Sequence, residues 1–375
     1  MRTEYQSQAQ MPYRNDVPFE TRQAAIEERI AAEQASVKRA GEDAKNLALA
    51  SQEYRDDLVK LLGHDKYAQL RAYVHEQKRY ARKFLLPPRG PEMSKEEVDR
   101  FRGERREESL AFLNQLGIAP SKLQSLSQRV GTRIKQLGPS HPVRDGKRVM
   151  LQLPSDVPQE IRAGKTNPWT YFAPPYPGWA WSYTGFNAGF TFIPTLYLDP
   201  GIGLVGNINH LQDTDASDND YGHMVYNTAI RIWYQMPTAG LIEAWIEGQV
   251  ASAHHRVSLH DEFGWSDSDA WQHDYLTFNA TVGGSSSAVQ MSEMSWFSEE
   301  GNTDGYWDNE YLTEGASYWA NLVSDRSVII PAGAWVLLEV GMTNFNATFA
   351  NDVTVYSTMD FRWIIKQVIV HSTGG

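Results

Sequence analysis

Four aspartates fall within eight positions of the stretch HLQDTDASDNDYGH, residues 210–223: Asp213, Asp215, Asp218 and Asp220. Carboxylates so spaced are hard oxygen ligands of the kind calcium takes, with loop carbonyls completing the shell. The stretch is not an EF-hand. Counted from Asp213, position six is Asp218 instead of glycine, and position twelve is Met224 instead of a bidentate glutamate. Aspartate and asparagine also favour turns and solvent on their own account. The stretch therefore carries two readings, a calcium site and a wet turn, and calcium is the cofactor expected if the first holds.

A second polar cluster, HHRVSLHDEFGWSDSDAWQHD, sets His254, His255, His260 and His273 among Asp261, Glu262, Asp267, Asp269 and Asp274. Imidazole and carboxylate together suit zinc or another transition metal. The spacing matches neither HExxH nor a zinc finger, so exposed histidines on loops near strand ends are the plainer expectation. For carbohydrate hydrolysis, two carboxylates must lie roughly 5 to 9.5 Å apart. Glu243 and Glu247 share a strand face, but a rise of about 3.3 Å per residue separates them by about 13 Å. No GxSxG elbow is present, and GxxxxGK[ST] does not occur to cradle a nucleotide phosphate.

Aromatic side chains are the other candidates. Trp179 and Trp181 in PPYPGWAW, Trp265 and Trp271 in the His/Asp segment, and Tyr306 and Trp307 in GYWDNEY are expected on loops beside Asp and Asn. Rings that stack on a sugar, next to carboxylates that accept hydrogen bonds from its hydroxyls, form a glycan-recognising patch. Most of the twelve tryptophans are expected in core packing, and two or three exposed ones would suffice for such a patch.

Charge divides the elements that must position these residues. Residues 1–165 hold 30 Lys and Arg against 23 Asp and Glu, while residues 166–375 hold 5 against 23. All twelve tryptophans, Trp169 to Trp363, lie in the second part. The second part would repel nucleic-acid phosphates, and the basic runs of the first are interleaved with acids, so nucleic acid is not an expected partner. The net +7 and −18 of the two parts attract each other, within one chain or between chains. Zero cysteines exclude disulfides and Cys-ligated metal. The first residues lack the apolar core of a signal peptide, and no run approaches the roughly 18 apolar residues of a membrane span. The expectation is a soluble protein, cytoplasmic or exported without a cleavable leader.

After an N-terminal arm, residues 1–20, a helical part is expected over residues 21–138. Its first helix carries a seam in steps of four and three: Ile26, Ile30, Glu33, Val37, Ala40, Ala44, Leu47, Ser51, Tyr54, Leu58 and Leu61. That seam predicts either a coiled coil between chains or packing on neighbouring helices of the same chain. Gly63, the PPRGP run at 87–91, Gly117 with Pro120, and Gly138 then punctuate a hairpin or bundle of further helices. A proline-rich connector spans residues 139–178. From 179 to 375 the period becomes two: Met224, Tyr226, Thr228, Ile230, Ile232, Tyr234 and Met236 share one face, as do Ile242, Ala244, Ile246 and Val250. Strands without helices between them predict an antiparallel, jelly-roll-like β-sandwich, making the chain α+β and multidomain.

These expectations point to a non-catalytic binding protein: an oligomerising helical stalk presenting an acidic, aromatic-rich sandwich to a glycan or protein surface. A structural subunit of a homo-oligomeric assembly and a carbohydrate-active hydrolase are the alternatives. A helical pore-former is disfavoured by the high charge of the first helix.

Overall fold

The computed structural model describes residues 2–11, 14, 16–84, 95–137, 169–188, 190–213, 220–261, 269–282, 288–290, 294–301, 305–310, 313–324, 329–350 and 353–374. The chain is α+β, with four helices and two antiparallel sheets among these residues.

Period-two alternation becomes sheet where it was legible. Met224, Tyr226, Thr228, Ile230, Ile232, Tyr234 and Met236 are all buried, on or just beyond a strand at Asp220–Gln235. Ile242, Ala244, Ile246 and Val250 are likewise buried on a strand at Gly240–Asp261. In chain order, β1 is Arg2–Gln10, β2 Thr170–Phe172, β3 Gly178–Ala188, β4 Phe190–Asp199, β5 Leu204–Asp213, β6 Asp220–Gln235 and β7 Gly240–Asp261. There follow β8 at Asp269–Val282, β9 Ala288–Gln290, β10 Met294–Gly301, β11 Gly305–Glu310, β12 Ser317–Val323, β13 Trp335–Ala350 and β14 Val353–Gly374.

The first sheet runs β1-β3-β6-β13-β8-β10, with β9 on β8. The second runs β11-β7-β14-β5-β4, with β12 on β7 and β2 on β14. Their facing sides share one apolar core, in which Ile230, Ile232, Val336, Leu338 and Val340 of the first sheet meet Ile242, Ile246, Phe361, Trp363 and Val368 of the second. Each such side chain contributes about 1.5–3 kcal/mol when fully buried. Toward β5 the interior turns polar: Asn344 Nδ2 donates to Asn207 Oδ1, and Asn207 Nδ2 donates to Asn209 Oδ1 at 2.5 Å.

The helices are α1 at Phe19–Leu62, α2 His64–Phe84, α3 Lys95–Leu116 and α4 Pro120–Leu137. Gly117, at φ 65°, closes α3: the Ile118 amide bonds Leu113 O at 2.9 Å and the Gly117 amide bonds Asn114 O at 3.0 Å. This doubled cap needs the left-handed conformation that glycine adopts freely. Ala50, Tyr54 and Leu58 of α1 are buried with Leu70, Val74, Leu113, Leu123 and Leu126. Arg129 reaches Asp57 at 2.6 Å and Arg133 reaches Glu53 at 2.8 Å, so α4 runs antiparallel to α1. The seam expected along α1 is thus buried at Tyr54 and Leu58, whereas Ile26, Ile30 and Leu61 are exposed. Among the described residues, no helix is long and apolar enough to cross a membrane.

Two features had no clear sequence signal. RTEYQSQAQ has no apolar alternation, yet it forms β1 and pairs with β3 from Arg2↔Asn187 to Gln10↔Trp179, because the edge of β3 offers unpaired amides and carbonyls. The first turns of α1 also dock on the outer side of the first sheet, where Val17 and Ala25 bury against Trp233, Trp335 and Leu337. Beneath α1, Arg231 is 2% exposed and its Nε donates to Glu339 Oε1 at 2.6 Å, while Arg29 Nη1 approaches the same oxygen at 3.7 Å.

Removing one partner of a buried pair costs far more than the pair contributes. Urea unfolding of Glu339→Ala should show a loss of about 3 kcal/mol or more, because the buried charge of Arg231 loses its carboxylate. Glu28 behaves oppositely: burial, then the charge of Glu339, raises its carboxyl above the ordinary 4.5. A raised folded value means that stability is complete at low pH and is lost as pH rises through that value. Glu28→Gln should therefore be more stable than wild type at pH 7, by no more than about 0.5 kcal/mol given its exposure. The two should converge in acid, which melting curves across pH will read.

Candidate functional site

The residues singled out in the sequence fall in several places. Trp179 and Trp181 lie on β3, not on a loop, and both are half-buried. Trp179 Nε1 donates to Gln10 Oε1 at 2.8 Å, and Trp181 stacks on Tyr226 at 6.1 Å. Trp271 lies on β8, in register with Ala347 and Glu300, and Tyr306 and Trp307 lie on β11, opposite Ser258 and Val257. These positions too are strand where loops were expected. Trp265 lies outside the described residues, as do Asp215 and Asp218. Asp213 ends β5 opposite Phe190, and Asp220 opens β6 opposite Ala350, so the acidic stretch connects one sheet to the other.

The histidine cluster divides. His254, His255 and His260 are on β7 of the second sheet and His273 is on β8 of the first. Adjacent strand positions such as 254 and 255 pleat to opposite faces. They are strand residues, not the loop residues expected. Among the described residues there is no group of three or more metal-ligating side chains.

The outer face of the second sheet gathers what the sequence scattered. Cross-strand register sets three rows: Ile193, His210 and Thr358; Thr195, Ile208, Asp360 and His254; Tyr197, Gly206, Arg362 and Ser252. Strands about 4.8 Å apart and rows about 6.7 Å apart make a surface roughly 14 Å by 13 Å. Arg362 donates through Nε to Asp360 Oδ1 at 2.7 Å and through Nη2 to Asp360 Oδ2 at 2.6 Å. Its guanidinium lies over the Tyr197 ring, 4.7 Å from the centroid. His210 Nδ1 meets Thr358 Oγ1 at 3.0 Å, and His254 Nε2 lies 3.5 Å from Glu314 Oε1. Burial lowers the His210 pKa below the ordinary 6.5, partly countered by Asp360, so the ring is neutral near pH 7. Ile193 is 50% exposed and Thr195 is exposed, so solvent reaches this edge of the face.

Gly206 makes the stack. At φ 143°, a Cβ there would lie 2.3 Å from Phe361 O and 2.7 Å from Arg362 Cα. Only a residue without a side chain lets β14 approach and Arg362 cross toward Tyr197.

Farther along the same face, two register shifts change which residues point outward, one between Arg362 and Trp363 and one between Ile365 and Gln367. Past them, Gln367, Ile369 and His371 stand beside Glu247, Trp245 and Glu243. Trp245 Nε1 donates to Glu243 Oε1 at 3.1 Å, and Gln367 Nε2 donates to Glu247 Oε2 at 2.6 Å. Trp169 stacks on the His371 ring at 4.6 Å, and His371 Nδ1 lies 3.8 Å from Glu243 Oε2. Trp245, Trp319 and Ile369 are buried here, so this end is packing, with Tyr171 exposed at its margin. The two glutamates whose spacing of about 13 Å along one strand already ruled them out as a hydrolytic pair are both engaged.

No protein-family model matches the chain, and no curated protein does. Among solved structures, the enzymatically active domain of bacteriophage CBA120 tailspike protein 4 is 10% identical, with a TM-score of 0.14, over 47% of this chain and 19% of that one. This chain therefore spans about a fifth of the tailspike's length. A putative sugar binding protein from Bacteroides thetaiotaomicron VPI-5482 is 9% identical, with a TM-score of 0.13, over 44% of this chain and 81% of that one. TmCBM61 in complex with beta-1,4-galactotriose is 10% identical, with a TM-score of 0.09, over 52% and 92%. Likenesses this slight carry no argument, and the reading rests on the geometry.

Gly206→Ala should cost about 1–3 kcal/mol in stability, the range for a residue forced into a conformation open to glycine alone. Differential scanning calorimetry beside Gly203→Ala, another positive-φ glycine outside the Tyr197–Arg362 stack, will show whether the two losses are of one kind.

Proposed function

We propose that the chain is a non-catalytic binding protein, in which a self-associating helical part presents a jelly-roll-like sandwich that recognises a glycan. The observation that carries this is the Tyr197–Arg362–Asp360 unit on the outer face of the second sheet. A sugar needs an apolar surface for its C–H face and paired donors and acceptors for adjacent hydroxyls. The Tyr197 ring, on the face away from the Arg362 guanidinium, is proposed for the first. Arg362 has donors beyond the two it gives Asp360, and each Asp360 oxygen keeps a second lone pair, so donors and acceptors stand side by side. Strand backbone fixes all three residues, which limits the ordering cost of binding.

Trp179, Trp181, Trp265, Trp271, Tyr306 and Trp307 belong to the same proposal as further aromatic contacts. Asp213, Asp215, Asp218 and Asp220 belong to it as a calcium site. The structural-subunit alternative draws its support from the exposed apolar residues of α1.

A glycan array probed with the full chain, once with calcium and once with a chelator, tests the reading. Binding that falls at least tenfold in Arg362→Ala and Tyr197→Ala, with melting behaviour retained, is the expected outcome. Loss of signal in chelator would assign the aspartates to calcium. An array silent under both conditions would overturn glycan recognition in favour of the structural subunit.

A further inference from the structure

Along α1 one apolar stripe has no covering among the described residues. Phe19 is 67% exposed, Ile30 47% and Ile26 38%, and Val37 continues the line half-buried. Spaced by seven, four and seven residues, they occupy d, d, a and a of one heptad frame, with Gln23 at the intervening a position and Glu33 at the intervening d position. From Phe19 to Val37 the stripe is about 27 Å long at 1.5 Å per residue.

We infer that this stripe is the seam on which a second copy of the same chain docks in parallel. The inference deepens the self-association in the proposed function and rests on that reading for its purpose, but not for its geometry.

Three observations select a second copy as the occupant. In the same frame Thr21, Ala25 and Glu28, which face the first sheet or lie near its Glu339, are f, c and f positions, the back of a coiled-coil helix. The sandwich is therefore held away from the seam and leaves it open. Farther along, Tyr54 and Leu58 continue the frame as d and a, and there the helices of the same chain bury them. One heptad frame thus has its own chain's helices as partner at one end and exposed apolar side chains at the other. Charge supplies the third: Arg22 at g and Glu27 at e are the pair that meets across a parallel seam five residues apart. Each chain offers both members, so the contact is reciprocal and in register.

The absence of native cysteine makes the register directly readable. Sedimentation of the full chain should give a multiple of 42.5 kDa, and the double variant Ile26→Asp with Ile30→Asp should return to 42.5 kDa with unchanged circular dichroism. Ile30→Cys, at an a position, should form an interchain disulfide on mild oxidation. Arg22→Glu should weaken association, and adding Glu27→Arg should restore it. A wild-type chain that sediments at 42.5 kDa, or a double variant that keeps the wild-type mass, would overturn the inference. So would an Ile30→Cys chain that does not cross-link, because a parallel seam places the two thiols together. On the array, the monomeric variant should keep its glycan preference with avidity reduced by about 10²–10⁴-fold. A silent array with an intact mass shift would sink glycan recognition and leave the seam standing.

Discussion

An arginine withdrawn from water organises the contact between the two halves of the chain. Arg231 sits on β6 directly opposite Glu339 of β13, on the side of the first sheet away from the sandwich core. That side would face solvent if α1 were elsewhere. With α1 in place, Arg231 is nearly fully buried, its remaining Nη1 reaches Met11 Sδ at 3.1 Å, and Arg29 donates to Trp181 O at 3.2 Å. A buried pair of this kind adds little net stability, but it tolerates no imperfect covering. The first turns of α1 are thereby held in one place by charge, while Trp233, Trp335 and Ala25 supply the apolar contact.

This docking gives the unequal charge of the chain a physical role. The basic helical part and the acidic sandwich attract each other, and part of that attraction is used within one chain, at Arg29 and Glu339. The second part has only five basic residues, and two of them, Arg231 and Arg362, are paired with carboxylates on the outer faces of opposite sheets. Arg231 is sealed beneath a helix and Arg362 is left partly exposed beside Tyr197. The same chemistry thus serves as a structural tie on one face and as a candidate ligand contact on the other.

The helix that ties the halves together also has two further sides. Its f and c positions take the sheet, Tyr54 and Leu58 at d and a take the bundle, and Phe19, Ile26 and Ile30 at d, d and a remain exposed. A 44-residue helix, about 66 Å long at 1.5 Å per residue, is long enough to serve all three. Association through α1 would place several sandwiches around one axis with their second sheets free, which suits avidity for a repeated ligand.

Local periodicity is enough to fix much of this protein. The helices ended at Gly63, Gly117 and Leu137 because glycine and proline punctuate the backbone locally, and the buried faces of β6 and β7 followed from period two. Other features depended on partners distant in sequence. In GLVGNINHL the apolar Ile208 points outward, half-buried, while Asn207 and Asn209 are buried, since Asn344 across the sandwich satisfies an amide that the sequence would leave in water. Polar RTEYQSQAQ became a strand because β3 had an edge to fill. The shift in face near Lys366 comes from unequal pairing of β7 and β14, and it brings Asp360 and Arg362 to the same side as Glu243. The sequence by itself therefore determined the elements and their core-facing sides, which depend on neighbours a few residues away. Tertiary structure alone decided the candidate site, because Tyr197, Gly206, His254, Asp360 and Arg362 meet only through strand register, which no local pattern encodes.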